Sequence, residues 1–203
     1  MPGSKAGELE RKEQILSAAF TVATREGLEG LTIRRVATEA GLSHGLVPFH
    51  FESKDRLLAA LLDRLFASTG AFEVGPEILR LESPLERLLA LLRQEMARLT
   101  SDRAGIQLFF DFWHMGTRHP RIRAKMRAEL KRYREAFSPM VEQVLQADPR
   151  RFADVSPDGL AAVVVSFIKG SAVQSVIDPE GFDVAQFTVA ANALLSELGE
   201  SSA

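Results

Sequence analysis

The chain has 203 residues and a mass of 22.4 kDa, and its 46% hydrophobic content is enough to bury one or two cores without metals or disulfides. It contains no cysteine, which excludes disulfides and thiolate chemistry and suits a reducing cytoplasm. The net charge of −2 excludes a globally basic surface, so any contact with nucleic acid must come from local charge.

The spacing of apolar residues is helical along nearly the whole chain, and the sequence has no strand pattern and no internal repeat. Residues 1–7 have no apolar core that could serve as a signal peptide, and we predict a loose tail there. The first helix is predicted over about residues 8–26, where apolar side chains recur at intervals of three and four. Gly27 is expected to end it.

Serine and threonine residues mark the starts of the next three helices, because their side chains can accept a hydrogen bond from a free backbone amide. Thr32 is predicted to cap a short second helix, which Gly41 closes. Ser43 is predicted to cap a third helix. Ser53 is predicted to cap a longer fourth helix that ends near Thr69.

A connection over about residues 70–82 leads to five more helices, which makes about nine in total. The fifth begins at "SPLE", where Ser83 is the N-cap and Pro84 the first helical residue. The others are predicted over about 103–118, 121–146 and 156–177 and from 183 onward. Pro139 is expected to kink the seventh helix.

The last two helices carry more apolar and small-residue surface than a monomer of this size needs. Small residues that would let two backbones approach closely are Ala161, Ala162, Ser166, Gly170 and Ala172. We therefore predict a homodimer through about residues 157–198, with an internal core helix as the alternative. No membrane span is predicted, because the apolar run at 160–168 ends at Lys169 and is far shorter than about 20 residues.

Two short helices joined by "GLS" at 41–43, with a longer helix before them, match a helix-turn-helix, whose second short helix enters the major groove of DNA. Residues 11–62 resemble the DNA-binding domain of the TetR family. The resemblance rests on "TIRRVATEAGLS" at 32–43 and "HFESKDRLL" at 50–58. It covers about a quarter of the chain. The remainder resembles the family in being all-helical, with some likeness to the branch of the choline-responsive repressor of betaine synthesis.

The resemblance implies an all-α protein with a helix-turn-helix domain at 1–52 and an effector-binding and dimerisation domain at 53–203. It further implies a two-fold symmetric dimer that binds a palindromic operator in double-stranded DNA. A small effector, whose identity the sequence does not give, would release the DNA, so the protein would act as a repressor. We predict no cofactor, no metal and no catalysis.

The predicted DNA contacts combine positions that match family contacts with positions chosen for their chemistry. The resemblance implies phosphate contacts at Thr32, His50 and Lys54, while Gly45 would allow close approach to base edges. The full predicted set is Thr32, Arg34, Arg35, Ser43, His44, Gly45, Leu46, Phe49, His50 and Lys54. Pro48 stands where the family usually has a phosphate-contacting tyrosine, and we expect the short helix to persist there.

Some residues of the third helix are expected to pack rather than bind. Val47 and Phe51 are predicted to hold this helix to the domain core. For Phe49, packing against the core and contact with thymine methyl groups are both open. For His44 and His50, the alternatives are contact with DNA and simple exposure to solvent.

The sixth helix, "GIQLFFDFWHMGTRHP", gathers aromatic residues around two polar groups, Asp111 and His114. A mostly apolar cavity with a few polar groups is typical of a small-molecule site. The predicted ligand-binding residues are Phe66, Met96, Phe109, Phe110, Trp113, His114, Met126, Tyr133 and Phe167. Plain core is the alternative for each aromatic taken singly. A cation over the Trp113 ring and a fatty or aromatic effector both stay open.

Two other functions also stay open. A helical enzyme could use Asp111 and His114 as an acid/base pair, although no nucleophile motif or phosphate loop supports it. A non-specific nucleic-acid binder could use the basic residues of the seventh helix. Apolar residues on the other side of that helix favour a solvated face instead.

Overall fold

The computed structural model describes residues 2–69, 73–150 and 152–197, which form ten α-helices and no strand. The helices are α1 (Pro2–Gly30), α2 (Ile33–Glu39), α3 (Leu46–Phe51), α4 (Lys54–Thr69), α5 (Pro76–Leu79), α6 (Pro84–Ser101), α7 (Arg103–Gly116), α8 (Pro120–Ala147), α9 (Pro157–Ile177) and α10 (Val184–Glu197). The predicted all-α fold is confirmed. The short α5 is one helix more than the sequence predicted, within the predicted connection.

The N-terminus is helical where the sequence predicted a loose tail, since α1 begins at Pro2. Proline suits a first helical position, and the alanine, lysine and glutamate that follow are good helix formers. Gly27 breaks the helix as predicted: its φ of +72° is a conformation that L side chains rarely adopt. The chain turns there, shortly before α2.

Most of the predicted helix caps are confirmed. A side-chain hydroxyl accepts a hydrogen bond from the amide three residues on, at 3.0 to 3.4 Å, at Thr32, Ser53, Ser83 and Ser156. The prediction for Ser43 is wrong, because α3 begins three residues later and its N-cap is Gly45, without a side-chain bond. The carbonyl of Ser43 instead accepts from the Leu46 amide at 3.0 Å and closes a turn.

The turn between α2 and α3 follows from one glycine. Gly41 has a φ of +65°, and its amide donates to the Thr38 carbonyl at 3.1 Å. The next amide, of Leu42, donates to the Ala37 carbonyl at 2.9 Å, which completes a Schellman motif. The side chain of Gln14 on α1 donates to the Ala40 carbonyl at 2.7 Å and so ties the end of α2 to α1.

The chain divides into two compact units. Unit 1 comprises Met1–Gly70 and Gln107–Met126, and unit 2 comprises Ala71–Ile106 and Arg127–Ala203. This division differs from the predicted boundary at residues 52 and 53. The reason is that apolar side chains of α4, α7 and the start of α8 share one core with those of α1, α2 and α3.

Unit 2 is built from α5, α6, α9, α10 and the greater part of α8. Its buried side chains include Leu88 and Met96 of α6, Phe137 of α8, and Val164 and Ile168 of α9. α8 continues past Pro139 to Ala147, so no helix end falls at that proline. The apolar residues that recur at helical spacing in unit 2 therefore form a core of their own.

α9 meets the length and composition required to cross a membrane, with a mean hydropathy of 1.8. No span was predicted from the sequence, because the apolar run ends at Lys169, yet the helix continues to Ile177. Within unit 2, Leu160, Val164 and Ile168 bury one face of α9, which packs against α6. A core helix of this composition passes the same test.

Candidate functional site

The helix-turn-helix of unit 1 presents the predicted DNA contacts on its surface. None of the ten predicted contacts is buried, and only Leu46, His50 and Lys54 among them are half-buried. By contrast, Val47 and Phe51 are 0% and 7% exposed and hold α3 to the core, as predicted. The six residues of α3 therefore have one anchored side and one bare side.

Phe49 is the most conspicuous residue of the bare side. Its side chain is 77% exposed, and its ring meets the ring of His50 edge-on at a centroid distance of 5.1 Å. The prediction left Phe49 divided between packing and contact. Since the chain does not bury this ring, it can contact a partner.

Gly45 precedes α3 and is not required by the fold. Its φ of −75° suits any residue, and a Cβ placed there would meet nothing within 4 Å. Gly41, in contrast, needs its positive φ for the turn. The surface in front of Gly45 is therefore open to a closely approaching partner.

Arg34 and Arg35 differ in their surroundings although both are exposed. The Arg35 guanidinium lies 2.6 Å from a carboxylate oxygen of Glu26 and donates to the Gly30 carbonyl at 2.9 Å. Arg34 forms no ion pair with any residue that the structure describes. Arg34 is thus the arginine available to a phosphate group.

Pro48 occupies the third position of α3, where a helix has no internal acceptor for an amide. The missing donor therefore costs little, and the expected persistence of the helix is confirmed. The Phe49 amide after it bonds to the Gly45 carbonyl at 3.2 Å.

Lys54 begins α4 and lies beside a cavity of about 650 Å³ in unit 1. Its ammonium donates to the Leu28 carbonyl at 3.5 Å. The cavity is lined by Glu26, Gly27, Leu28, Glu29, Lys54, Asp55, Leu58, Asp111, His114, Met115, Arg118 and His119. Burial raises the pKa of Asp111, an effect that the nearby His114 partly opposes.

The nine predicted ligand-binding residues divide between the two units. Unit 1 holds Phe66, Phe109, Phe110, Trp113, His114 and Met126, and unit 2 holds Met96, Tyr133 and Phe167. In unit 1 the ring of Phe109 lies 6.5, 5.3 and 5.9 Å from those of Phe66, Phe110 and Trp113. Phe66 and Phe109 are buried in the core, whereas Trp113 is exposed. A single cavity formed by all nine residues stays a prediction.

Unit 2 contains a buried charged cluster that was not predicted from the sequence. The side chain of Glu95 is fully buried and accepts hydrogen bonds from the Tyr133 hydroxyl at 2.7 Å and the Arg98 guanidinium at 2.6 Å. The Lys169 ammonium lies 4.5 Å from the centre of the Tyr133 ring. Burial raises the pKa of Tyr133 and lowers that of Lys169 to about 8.

A signal for this cluster was present in the sequence. Glu95 stands four residues after Leu91 and four before Leu99, on the buried stripe of α6. An acidic residue on the buried face of a helix either reaches solvent because the helix is locally distorted, or is buried together with hydrogen-bonding partners. Glu95 and Arg98 are three residues apart, which is also the spacing of an ordinary ion pair on a helix surface. The sequence therefore did not reveal that Glu95 is buried.

α9 and α10 expose apolar residues outside the core. We call this surface the apolar stripe; its most exposed large members are Val163 at 44%, Ile177 at 78%, Val189 at 63% and Leu194 at 61%. Of the small residues predicted at a dimer contact, Ala161 and Ala172 are buried in unit 2 and so cannot meet a partner. Ala162 and Ser166 are exposed beside Val163.

The basic residues of α8 form a solvated face, as predicted. Arg132 pairs with Glu129 at 2.7 Å, and Lys131 with Glu135 at 3.5 Å, while Tyr133 on the other side is buried. Among the residues described, no group of three or more histidine, aspartate or glutamate side chains is placed to hold a metal ion.

A helix-turn-helix whose second short helix has an exposed side, in a chain of two compact helical units, is typical of a DNA-binding transcriptional regulator. Residues 15–61 match the family of bacterial regulatory proteins named tetR, and residues 84–200 match the C-terminal domain of the BetI-type transcriptional repressor. The chain belongs to the TetR family, in the branch with a BetI-type C-terminal domain. It is therefore a ligand-responsive transcriptional repressor.

Relatives cover nearly the whole chain. A regulator from the dhlA 5′ region of Xanthobacter autotrophicus, described as an uncharacterized HTH-type transcriptional regulator, is 26% identical over 93% of this chain and 90% of its own. The HTH-type transcriptional regulator BetI 1 of Chromohalobacter salexigens is 25% identical over 86% of this chain and 83% of its own. A transcriptional regulator of Saccharomonospora viridis, solved in complex with choline, has the same fold with a TM-score of 0.72, at 23% identity and coverages of 92% and 96%.

Proposed function

We propose that two copies of the chain bind a palindromic DNA operator, with α3 of each copy in the major groove, and that a small effector releases them. The observation that carries this proposal is the two-sided character of α3. Val47 and Phe51 anchor the helix, while Phe49 and, just before the helix, His44 are exposed. A short helix with this division suits insertion into a groove.

The proposed contacts fall into two groups. His44, Gly45, Leu46 and Phe49 face base edges and thymine methyl groups, and thereby give sequence preference. Phosphate contacts come from Thr32, Arg34, Ser43, His50 and Lys54. Ser43 suits this role because its hydroxyl is exposed and does not cap α3. Arg35 contributes less, since Glu26 already holds its guanidinium.

The proposed dimer forms through the apolar stripe of α9 and α10. Val163, Ile177, Val189 and Leu194 would leave water on pairing, and the exposed Ala162 lets two helices approach closely. Binding of a palindromic operator would require the two α3 helices of such a dimer to enter successive major grooves, about 34–36 Å apart.

The effector must bind the two dimer shapes unequally, since a shift from about 1:99 to 99:1 needs roughly 10⁴-fold preference. We propose that it binds among the predicted ligand-binding residues. For the Saccharomonospora relative the ligand is choline; in this chain the exposed Trp113 could offer a ring face to such a cation. The regulator acts in the cytoplasm and not as an enzyme, in keeping with relatives named as transcriptional regulators.

The test begins with inverted-repeat duplexes selected from random DNA by the purified chain. We expect affinity for the selected duplex to exceed that for a shuffled one by at least about 10³ at physiological salt. Gly45→Ala should keep the thermal stability and weaken operator binding at least about tenfold. Gly7→Ala, which also adds a methyl group in open space, is the matched control. Equal affinity for both duplexes would refute the proposal.

The dimer is tested by sedimentation. Val163→Arg should shift the particle to the 22.4 kDa of one chain, because a buried unpaired charge opposes pairing. Val155→Arg is the control, as Val155 is similarly exposed at 40% but lies in the loop before α9. A dimer that persists in Val163→Arg argues for another interface.

A further inference from the structure

The cavity of about 650 Å³ in unit 1 combines apolar side chains with carboxylates from three segments. Leu58 and Met115 supply apolar surface. Glu29 follows the break at Gly27, Asp55 lies in the first turn of α4, and Asp111 lies on α7. The volume is within the range of about 300–1,000 Å³ that small-molecule sites occupy.

Three of the four carboxylates in this lining lack an ion-pair partner among the described residues. Glu29, Asp55 and Asp111 form no ion pair within the described part of the chain, whereas Glu26, also in the lining, is held by Arg35 at 2.6 Å. Burial raises the pKa of Asp111, which is the response of a carboxylate without sufficient compensating charge. Lys54 and Arg118 line the same cavity, so four carboxylates face two cationic side chains, and the net negative charge favours a cationic ligand.

The acceptors decide what kind of cation fits. Carboxylates and the Leu28 carbonyl, which Lys54 contacts at 3.5 Å, require a ligand that donates hydrogen bonds. The described lining includes His114 and His119 but no phenylalanine, tyrosine or tryptophan that could hold a quaternary ammonium by its ring faces. An amine with N–H groups therefore suits the site better than a quaternary ammonium.

We propose that this cavity binds a short aliphatic diamine, with one ammonium at Asp111 and the other between Glu29 and Asp55. Its methylene chain would lie along Leu58 and Met115. Carboxylates on separate segments of the lining match a ligand with a positive charge at each end.

The site is positioned to act on DNA binding. An ammonium between Glu29 and Asp55 would repel the Lys54 ammonium, which lines the same cavity, and Lys54 is one of the proposed phosphate contacts. Diamine and operator would then alter each other's affinity by the same factor. This coupling rests on the proposed operator binding, but the binding of the diamine does not.

The experiment is calorimetric titration of the full chain with putrescine in the absence of DNA. We expect saturable binding, weakened at least about tenfold by Asp111→Asn and by Asp55→Asn. The matched control is Asp158→Asn, which removes an exposed carboxylate in the first turn of α9, outside the cavity, and should leave the affinity unchanged. Melting curves check that each variant folds, and two cavity variants keep the test valid if one does not.

Two results would overturn the proposal. One is the absence of saturable binding at millimolar putrescine. The other is equal putrescine affinity in a folded cavity variant and in Asp158→Asn. Because no DNA is present, neither result bears on operator binding.

Discussion

The two units treat polar groups in opposite ways. The core of unit 1 is apolar, and its ion pairs, such as Arg35 with Glu26 and Arg25 with Glu39, lie at the surface. Unit 2 buries the carboxylate of Glu95 with Tyr133 among its apolar side chains. The apolar core of unit 1 gives that unit a fixed shape. The buried charge of unit 2 is stable only while every one of its hydrogen-bonding partners is present.

The surfaces of the two units differ as well. Unit 1 exposes the ring of Phe49, which contacts His50, and also the side chain of Arg34, a mixture that suits the chemistry of a DNA groove. Unit 2 shows the apolar stripe, which suits a second protein surface. Each unit thus carries one kind of contact, and variants can separate the two.

The largest expected effect breaks the buried charge of unit 2. Glu95→Ala should lower the free energy of unfolding by about 3–5 kcal/mol, because the hydrogen bonds from the Tyr133 hydroxyl and the Arg98 guanidinium to the buried Glu95 carboxylate are lost. Urea denaturation measures it. Glu142→Ala, an exposed position on α8, should change it by less than about 0.5 kcal/mol. Equal losses in both variants would mean that the cluster adds nothing.

The second prediction sharpens the division within α3 of unit 1. Val47→Ala should cost about 2 kcal/mol of stability, because it opens space in the core. Phe49→Ala should leave stability within about 0.5 kcal/mol and weaken operator binding about tenfold. Denaturation and fluorescence anisotropy with the selected duplex measure the two effects. Loss of stability in Phe49→Ala without loss of affinity would contradict the assignment.

The third prediction concerns pH and unit 2. Lys169 has a pKa of about 8 in the folded chain against 10.5 as the ordinary value. Between these values the unfolded chain holds a proton that the folded chain has released, so this residue adds stability as the pH rises through that window. Relative to Lys169→Met, the wild type should gain on the order of 1 kcal/mol between about pH 7 and pH 9.5. A constant difference across that range would show that the ammonium is not desolvated.

The smallest effect compares two neighbouring arginines of unit 1. Arg34→Ala should weaken operator binding by about two- to fivefold and reduce the salt dependence by about one phosphate contact. Arg35→Ala should change the salt dependence less, because Glu26 already pairs with that guanidinium. Titrations at several salt concentrations compare them. The reverse order would mean that DNA displaces Glu26 from Arg35.

The sequence predicted the helices well where one local interaction decides the structure. Thr32, Ser83 and Ser156 each cap a helix through their own side chain, and Gly27 and Gly41 end helices through a positive φ. The prediction that Ser43 caps α3 was wrong, because a backbone turn, which several residue types can form, decides where α3 starts.

The sites were harder to predict from the sequence than the helices, because they depend on contacts between distant segments. Tyr133 and Glu95 are 38 residues apart, and no local pattern joins them. The cavity beside Lys54 needs the break at Gly27, the start of α4 and the end of α7 together. Asp111 and His114 were predicted from the sequence as polar groups of a cavity. The charged residues of other segments that line the same cavity were not predicted.

The bare side chains of Val189 and Leu194 bear on how much of the regulator a cell must synthesise. If copies pair through these helices, the operator-competent form at low abundance grows with the square of the number of chains. A change of about twofold in gene expression then alters that form about fourfold. Dosage would set the steepness of repression before any effector is present.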